Sequence, residues 1–501
     1  MRNANAAMRL DYSPAPTEEQ LRIVDCAKTG ADFKIMAYAG AGKTSTLTQI
    51  ANALPPYKKG QYIAFNKEIV TDASTKFPSS VRCSTAHGLA FGAVGRMYVN
   101  RLNQARTPPE LLAEHFDVSG IDYKKDGEKN LFALPPGKVV LAALATLQNF
   151  VKSAATEPHD KHVTLPAEFS RGGIDFEQKT YRYNQVKLAK EMWADLQSKE
   201  GVCRFTHDHY LKIWQLSDPV INKDYILFDE AQDADPVMLD IVKRQQCQKI
   251  ICGDSYQSIY EWRGAVDALS IALRDKQTLH LTKSFRFGNA IAAAADEILD
   301  ILGAKKPITG IDCYSALSEM MWPKAILCRT NGGVIESLIT AIVDGKRASV
   351  VGDTAPLVTL INGCESLRVS DRSTHPELAG FESWDELKAC IELGEEDLGS
   401  LPPVVRLIEK YSAQALTVFL SKTVPENRAD VVISTAHRAK GREWDSVRIA
   451  DDFKSLREMK EQRGEAGNVT REMQVPELKL AYVAVTRARQ KLDLSPLLKR
   501  G

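Results

Sequence analysis

Two short segments, far apart in the chain, most constrain its fold. Residues 37–44 read AYAGAGKT, and residues 227–233 read LFDEAQD. The first segment predicts a short strand, a glycine-rich turn and the start of a helix, where consecutive backbone N–H groups can bind phosphates. The second places the adjacent carboxylates of Asp229 and Glu230 after an apolar run typical of a buried parallel strand. Together they predict the two halves of a nucleotide-hydrolysis site on an α/β fold.

The residue types of the first segment suit a phosphate-binding loop. Gly40 and Gly42 permit the tight turn and the close approach of the backbone to phosphates. Lys43 can reach the β- and γ-phosphates, and the Thr44 hydroxyl can coordinate Mg²⁺. Ala37 stands where the strict motif has glycine, so a chance turn of small residues is the alternative. The residues predicted to contact the nucleotide in this loop are Ala39, Gly40, Ala41, Gly42, Lys43, Thr44 and Ser45.

The two carboxylates have different predicted roles. Asp229 is a candidate ligand of Mg²⁺, and Glu230 is the candidate group that orients and polarises the attacking water. An isolated acidic pair at a strand end is often only a solvated turn. The phosphate loop upstream makes the catalytic interpretation the preferred one.

Strand and helix signals alternate along the chain and predict more than one domain. The chain has 501 residues, which is too many for a single hydrophobic core. Short apolar runs separated by helical stretches predict α/β domains with parallel sheets. The predicted boundaries are 10–100 and 206–275 for the first core domain, 101–205 for a helical insertion in it, 276–351 and 423–497 for the second core domain, and 352–422 for a reduced insertion in the second. The run TLHLTKS (278–284) is assigned to the second domain, and the charged segment 455–474 is predicted to be a mobile loop.

Composition excludes some classes of protein and leaves the partner open. The net charge is +1, with 44% hydrophobic and 26% charged residues, as in an ordinary globular protein. The sequence has no apolar run near the roughly 20 residues that cross a bilayer, and no secretory signal, so we predict cytoplasmic residence without membrane contact. Nine cysteines without a CxxC pair predict reduced, buried thiols. Cys203, His207 and His209 could ligate a metal, but a structural role is preferred.

Further motifs occur in an ordered series around the two first segments. They are PTEEQ with Gln20, YIAFNKEI, STAHGLA, GDSYQSIYEWRGA (253–265), LTKSFRFG, VVISTAHRAKGREWDSV and LAYVAVTRARQKL. With this series, which spans residues 16–492, the chain resembles superfamily 1 DNA helicases of the UvrD/Rep/PcrA type, and more closely their F-box DNA helicase branch. The resemblance implies two RecA-like P-loop NTPase core domains. Ala37 agrees with the family's own version of the phosphate loop.

The resemblance implies further roles at a site for ATP and Mg²⁺. Gln20 matches the residue that reads adenine, Phe285 the aromatic that stacks on it, and Glu443 the contact to ribose. Gly441 lies in the same motif as Glu443. The resemblance also implies that Gln257 senses the γ-phosphate, and that Arg286 and Arg487 act as arginine fingers that couple closure of a cleft to hydrolysis. Ordinary salt bridges or core packing are the alternatives for each residue alone.

The same series implies contacts to single-stranded DNA. Aromatic side chains can stack on any base, which suits a motor that moves over any sequence. Trp262, Tyr260 and Phe65 are the stacking candidates, with core packing as the alternative. The candidates for contacts to the strand's backbone or sugars are Asn66, His87, Arg263 and His437.

The resulting hypothesis is an ATP-dependent helicase or translocase that moves 3′→5′ on single-stranded DNA and at junctions with duplex. The direction rests on the resemblance of IYEWRG (259–264) to the UvrD type. Only about 150 residues separate the SFR and STAH motifs, so the second accessory domain is expected to be reduced, and no F-box is expected before Gln20. Two alternatives stay open, a translocase that strips proteins from single strands and an ATP-switched nucleic-acid-binding subunit. Repair, recombination control, replication and defence are all open as pathways.

Overall fold

The chain forms two compact units around two parallel sheets. The computed structural model describes residues 15–64, 66–102, 104–124, 131–165, 175–261, 264–378, 381, 383–392, 401–463 and 469–499. The first unit contains residues up to 36, 43–255 and 260–280, and the second contains 37–42, 256–259 and those from 281 onwards. The predicted class, α/β with two core domains that contain parallel sheets, is confirmed. The domain boundaries stay a prediction.

The first sheet has six strands, and most of its neighbours run parallel. The first eight strands of the chain are β1 (Phe33–Ala37), β2 (Gly60–Ala64), β3 (Val81–Thr85), β4 (Ile121–Lys124), β5 (Leu131–Leu134), β6 (Tyr225–Phe228), β7 (Gln248–Gly253) and β8 (Thr278–Leu281). The sheet order is β3-β2-β6-β7-β1-β8, and the pairs β3–β2, β2–β6, β6–β7 and β7–β1 are parallel. Strands β2, β6 and β7 are buried along their whole length, which agrees with their continuous apolar runs.

One strand belongs to a different sheet from the one predicted. TLHL forms β8, but β8 lies beside β1 at the edge of the first sheet, so its assignment to the second domain is wrong. The backbone N–H of Lys34 donates to the carbonyl of Gln277 at 2.9 Å. An apolar run in the sequence predicts that a strand forms. Which strands lie beside it depends on backbone hydrogen bonds to distant segments.

Helices surround the first sheet and form most of its insertion. They are Glu18–Lys28, Lys43–Ala53, Lys67–Lys76, Ala86–Ala93, Pro109–His115, Pro136–Val151, Asp175–Gln197, His207–Leu216, Pro236–Arg244 and Ala268–Ile271. In its described residues, the predicted insertion 101–205 is mainly helical. It also contains β4 and β5, an antiparallel pair that was not predicted. Each of these two strands has only four residues, too few to show a reliable alternation.

A buried arginine, Arg101, joins two distant parts of the insertion 101–205 by hydrogen bonds. Arg101 is 2% exposed, and its guanidinium donates to the carbonyls of Leu196 at 3.0 Å and Cys203 at 2.6 Å. Further donations reach the carbonyls of Asp195 and Ser198, and the group lies over the Phe205 ring. One side chain therefore satisfies carbonyls in the last turn of the long helix Asp175–Gln197 and in the segment after it.

Arg101→Met should lower the free energy of unfolding of the first unit by about 3 kcal/mol, because buried carbonyls would lose their donor. Urea denaturation of the full chain, followed by tryptophan fluorescence, measures the change. Arg96→Met is the matched control, since Arg96 lies on the same 3₁₀ helix, Gly95–Arg101, but is exposed. Equal stability of the two variants would contradict the assigned role of Arg101.

The second unit contains a sheet of six parallel strands. Its strands, with those of smaller sheets, are β9 (Lys283–Gly288), β10 (Thr309–Ile311), β11 (Ala316–Leu317), β12 (Ala325–Cys328), β13 (Ala348–Val350), β14 (Val431–Thr435), β15 (Trp444–Ile449), β16 (Gln462–Arg463), β17 (Val469–Arg471) and β18 (Ala488–Asp493). The order of the large sheet is β11-β18-β15-β12-β14-β13. Its helices are Asn289–Ile301, Asn331–Val343, Ala355–Ser370, Trp384–Glu392, Leu401–Tyr411, Ala413–Ser421, Ala436–Ala439, Leu456–Met459, Val475–Val485 and Ser495–Leu498.

The structure tests the predictions for the insertion 352–422, for the segment 455–474 and for the cysteines. The described part of the reduced insertion 352–422 is helical. The segment 455–474, predicted as a loop, instead contains a short helix and the antiparallel pair β16–β17, whose strands have only two and three residues. The prediction of buried thiols is confirmed at four positions, Cys203, Cys252, Cys328 and Cys364. It is wrong at Cys313, which is exposed, and the other four cysteines are partly buried, Cys26, Cys83, Cys247 and Cys390. Across the described ranges, we find no helix with the length and apolar character to cross a membrane.

Short 3₁₀ helices complete the secondary structure. They are Gly95–Arg101, Asp160–His162, Ala231–Asp233, Ser255–Gln257, Pro376–Leu378 and Glu426–Arg428. Two of them follow β6 and β7 directly, where the predicted nucleotide motifs lie. Both therefore begin close to the carboxyl end of a strand of the first sheet.

Candidate functional site

The carboxyl ends of parallel strands bring the predicted residues of the first unit to one edge of its sheet. The phosphate loop follows β1, Asp229 and Glu230 follow β6, and Asp254 follows β7. Asn66 follows β2, and His87 lies just after β3. Because these strands are parallel, all these segments leave the sheet at the same edge, where α/β domains bind their ligands.

The phosphate loop has the backbone conformation that glycine permits. Gly40 and Gly42 have φ angles of +72° and +78°, and the helix that follows begins at Lys43. The N–H of Ala41 donates to the Tyr38 carbonyl at 3.0 Å and closes the turn. A Cβ atom on Gly40 would lie 2.5 Å from Ser284 Oγ, so a larger residue does not fit there. Both glycines are therefore required by conformation, as the motif predicts.

Four side chains meet at the start of the helix that follows the loop. Lys43 Nζ lies 2.9 Å from each carboxylate oxygen of Glu230. Thr44 Oγ1 lies 3.4 Å from Asp229 Oδ2. Two candidate Mg²⁺ ligands, the lysine and the candidate base are thus in direct contact, although Thr44 and Asp229 are 185 residues apart.

The electrostatics of this cluster follow from burial of like and unlike charges. Burial raises the pKa of Asp229, and the neighbouring charge of Glu230 adds to this, while Lys43 opposes it. Burial acts to lower the pKa of Lys43, but the charges of Glu230, Asp229 and Asp254 outweigh it and hold that pKa above its ordinary value. The folded protein thus keeps a cation at the position where phosphate charge is expected.

Glu230 occupies a strained conformation that its neighbours maintain. Its φ and ψ are 51° and 40°, the left-handed region that side chains other than glycine rarely adopt. Gln232 Nε2 donates to Glu230 Oε2 at 2.5 Å, and Gln232 Oε1 accepts the N–H of Asp254 at 2.9 Å. Gln232 therefore connects Glu230 to the end of β7.

Gln232 and Tyr62 also contact the two carboxylates, although neither residue was predicted from the sequence. Gln232 lies two positions after Glu230 in DEAQD, and this short spacing could have indicated a contact with the candidate base. Tyr62 is fully buried on β2, and its hydroxyl donates to Asp229 Oδ2 at 2.7 Å. Burial, with the charge of Asp229, raises the pKa of Tyr62 far above its ordinary value, so the phenol is protonated at neutral pH. No spacing rule links Tyr62 to Asp229, because their contact depends on the pairing of β2 with β6.

The residues suit a magnesium ion with bound triphosphate. Mg²⁺ prefers hard oxygen ligands and is usually held by one or two protein oxygens together with phosphates and water. The Thr44 hydroxyl and the Asp229 carboxylate provide two such oxygens on the phosphate side of the helix start. The chain's donor set therefore fits the predicted ion.

Gln20 is already engaged within the first unit. It is 3% exposed and belongs to a capping box with Thr17 at the start of the first helix. Its Oε1 accepts the Thr17 N–H at 2.9 Å, and its Nε2 donates to Thr46 Oγ1 at 3.1 Å. The Gln20 amide therefore makes one accepted and one donated bond within the first unit.

In the second unit, the predicted sensor and one predicted arginine finger are in contact. Arg487 is 2% exposed, and its Nη2 donates to Gln257 Oε1 at 3.3 Å. Its Nε donates to the Val483 carbonyl at 2.8 Å. Lys440 Nζ donates to the Gln257 carbonyl at 2.6 Å, so Gln257 is held at both its amide and its backbone.

The second predicted arginine finger pairs with the predicted ribose contact. Arg286 Nε donates to Glu443 Oε2 at 2.7 Å, and Nη1 donates to the Thr486 carbonyl at 3.0 Å. Phe285 is half-buried, and its N–H donates to the Gly40 carbonyl at 2.8 Å. Gly441, in the same unit, has a φ of +84°. Ser45, in the first unit, is exposed in the first turn of the helix that follows the phosphate loop. The structure thus brings Arg286 and Glu443 together.

The candidates for DNA contact are distributed over both units. Asn66 is exposed, and its Oδ1 accepts the Ile69 N–H at 2.8 Å as the cap of the next helix. His87 Nε2 lies 3.1 Å from Asp208 Oδ1, and the His87 side chain is 37% exposed. Tyr260 in the first unit and His437 in the second are half-buried. Phe65, Trp262 and Arg263 lie outside the described residues, so their roles stay predictions.

Comparison with known proteins identifies the family of the chain. A model of the UvrD/REP helicase N-terminal domain matches residues 173–277, and a model of the UvrD-like helicase C-terminal domain matches residues 359–498. F-box DNA helicase protein 1 of Schizosaccharomyces pombe is 30% identical, over 96% of this chain and 57% of that protein. F-box DNA helicase 1 of Gallus gallus is 31% identical, over 96% of this chain and 49% of that protein.

A probable DNA helicase II homolog of Mycoplasma pneumoniae is 31% identical over a shorter alignment, which covers 16% of this chain and 13% of that protein. The chain spans about half the length of the two F-box relatives. Two helicase domain models nevertheless match the chain, and the two long alignments each cover 96% of it. The chain therefore belongs to the UvrD-like helicase family.

Proposed function

We propose that the chain is an ATP-dependent DNA helicase that moves 3′→5′ along single-stranded DNA and separates duplex ahead of it. The observation that supports this most directly is the contact of Lys43 with Glu230 beside Thr44 and Asp229. These are the groups needed to bind phosphates, hold Mg²⁺ and activate water, and they meet at the carboxyl edge of a parallel sheet. Membership in the helicase family supports DNA as the substrate.

Each residue of this cluster has a separate proposed task. Lys43 neutralises charge on the β- and γ-phosphates, and Glu230 orients the water that attacks the γ-phosphorus. Thr44 and Asp229 would hold Mg²⁺, which supplies Lewis-acid stabilisation of phosphate charge when bound. Lys43 bonds to Glu230, so a phosphate group that takes the lysine would leave the glutamate free to accept a hydrogen bond from water.

The residues of the second unit have proposed roles in the same reaction. Gln257 is the proposed sensor of the γ-phosphate, and Arg286 and Arg487 are the proposed arginine fingers. Arg286 bonds to Glu443 and Arg487 bonds to Gln257, and these bonds hold both guanidinium groups in place. Phe285, Gly441 and Glu443 are proposed for adenosine, together with Gln20.

Single-stranded DNA and its junctions with duplex are the proposed partners. Stacking on Trp262, Tyr260 and Phe65 suits a motor without sequence preference. The proposed direction rests on the aromatic-Arg-Gly pattern of residues 259–264. The cytoplasmic location and a role in DNA repair or recombination are further proposals.

A translocase that removes proteins from single strands is the second candidate. It is favoured by the small size of the insertion 352–422, because a duplex-gripping accessory domain has little room there. In its described part this insertion contains four α-helices, Ala355–Ser370, Trp384–Glu392, Leu401–Tyr411 and Ala413–Ser421.

Strand separation on matched duplexes with a 3′ or a 5′ single-stranded tail tests the proposal. We expect ATP-dependent opening of the 3′-tailed duplex alone, and none with Glu230→Gln, which keeps the side-chain size but lacks the carboxylate. Opening of only the 5′-tailed duplex would overturn the direction. If neither duplex opens while single strands stimulate ATP hydrolysis, the translocase is the correct function.

A further inference from the structure

Tyr62 is a buried phenol that no motif of the nucleotide site includes. It is fully buried in the middle of β2, and its ring packs against Phe77 with ring centroids 4.8 Å apart. Its hydroxyl reaches Asp229 Oδ2 at 2.7 Å, the distance of a strong O–H···O⁻ hydrogen bond. A phenylalanine would fill the same space, so core packing alone does not require this hydroxyl.

The neighbours of Asp229 hold its carboxylate in one orientation. Oδ1 accepts the N–H of Glu230 at 2.9 Å, and Oδ2 accepts the Tyr62 hydroxyl. The Asp229 N–H donates to the Ile63 carbonyl at 2.9 Å, so strand β2 contacts both the backbone and the side chain of Asp229. With these bonds in place, Oδ2 also faces Thr44 Oγ1 at 3.4 Å. These hydrogen bonds fix the orientation of the Asp229 carboxylate.

We propose that Tyr62 is a positioning residue that orients Asp229 for Mg²⁺ and so sets the metal affinity of the nucleotide site. This inference rests on the proposed function, because it concerns the ion that ATP hydrolysis requires. Partners that orient a metal ligand typically change metal affinity 10- to 100-fold when they are removed. Tyr62 does not touch the nucleotide in this proposal and acts only through Asp229.

Tyr225 provides a matched control for the loss of a buried phenol. It is 1% exposed and lies in the same sheet, on β6, the strand that leads to Asp229. Tyr225 is the first residue of β6 and pairs with Gly60, so it lies at the opposite end of the sheet from Asp229. Tyr→Phe at 62 and at 225 therefore makes the same chemical change near and far from the proposed metal ligand.

Binding of Mn²⁺ to the full chain with ADP, followed by electron paramagnetic resonance, tests the inference without turnover. Tyr62→Phe should raise the Kd for Mn²⁺ about tenfold, whereas Tyr225→Phe should leave it unchanged. Affinity for ADP in EDTA should stay the same in both variants. In ATP hydrolysis, added Mg²⁺ should restore the kcat of Tyr62→Phe, because Asp229 itself is intact.

An unchanged Kd for Mn²⁺ in Tyr62→Phe, or an equal loss in both variants, would overturn the inference. If Tyr62→Phe does not fold, Phe77→Leu keeps the hydroxyl but loosens the ring, and it should raise the Kd by a smaller factor. An unchanged Kd there would count equally against the inference. Failure of the proposed function has a different signature, because the native chain would then not hydrolyse ATP at any Mg²⁺ concentration.

Discussion

Lys43→Ala should lower ATP turnover at least about 1,000-fold, because it removes a preorganised positive charge from the phosphates. The ammonium lies 2.9 Å from both Glu230 oxygens and is held charged by the surrounding carboxylates. Its loss also leaves Glu230 and Asp229 without their nearest cation. We therefore expect weaker ATP binding as well as a lower kcat, measured by steady-state hydrolysis with saturating single-stranded DNA.

Lys76→Ala is the control for this change. Lys76 is in the same unit, but its side chain is exposed and pairs with Asp72 in a surface (i, i+4) bridge. Turnover of this variant should equal that of the native chain, and both variants should bind single-stranded DNA with native affinity. Turnover of Lys43→Ala within tenfold of native would refute the assignment of the phosphate loop.

Asp229→Asn should have opposite effects on activity and on stability. Mg²⁺-dependent hydrolysis should fall on the order of 100- to 1,000-fold, because the ion loses its charged protein ligand. The metal-free protein should become more stable by about 1–3 kcal/mol at pH 7 to 8. The carboxylate is 2% exposed beside Glu230, and this burial raises its pKa in the folded state. The ionised form therefore costs folding free energy, and asparagine removes that cost.

The sign of the pH dependence follows from the raised pKa. The folded state binds the Asp229 proton more tightly than the unfolded chain, so ionisation destabilises the fold at pH values above the raised pKa. As pH falls toward the ordinary aspartate value of about 4, native and variant should converge. Urea unfolding in EDTA at pH 8, 7, 6 and 4.5 measures this. Asp25→Asn, at an exposed surface pair with Lys28, should show no such trend, and a constant difference for Asp229→Asn would contradict the electrostatic origin.

The local sequence was sufficient to predict those parts of the candidate site that consist of consecutive residues. The loop 37–44 could be recognised because phosphate binding needs small residues, a lysine and a hydroxyl in fixed order, and the structure has Gly40 and Gly42 at positive φ. Asp229 and Glu230 could be placed beside it because parallel strands end at one edge of a sheet. Their predicted catalytic roles still await the experiments above.

Side-chain contacts between distant segments were not predictable in the same way. Gln20 matched a motif, yet its amide is bonded to Thr17 and Thr46. TLHL was correctly predicted as a strand but joins the first sheet, because hydrophobic pattern says nothing about which backbone a strand pairs with. The hairpin of β4 and β5 was missed because each strand is too short to show its period.

The sequence by itself determined the α/β class and the two parallel sheets, because strand and helix signals alternate along the chain. It also determined the helicase family, because the motifs occur in an ordered series over residues 16–492. Only the tertiary structure decided that Tyr62 bonds to Asp229, that Gln232 joins Glu230 to the end of β7, and that β8 extends the first sheet. Those features depend on which strands become neighbours. That choice is made by burial and backbone hydrogen bonding across the whole unit, which no local pattern encodes.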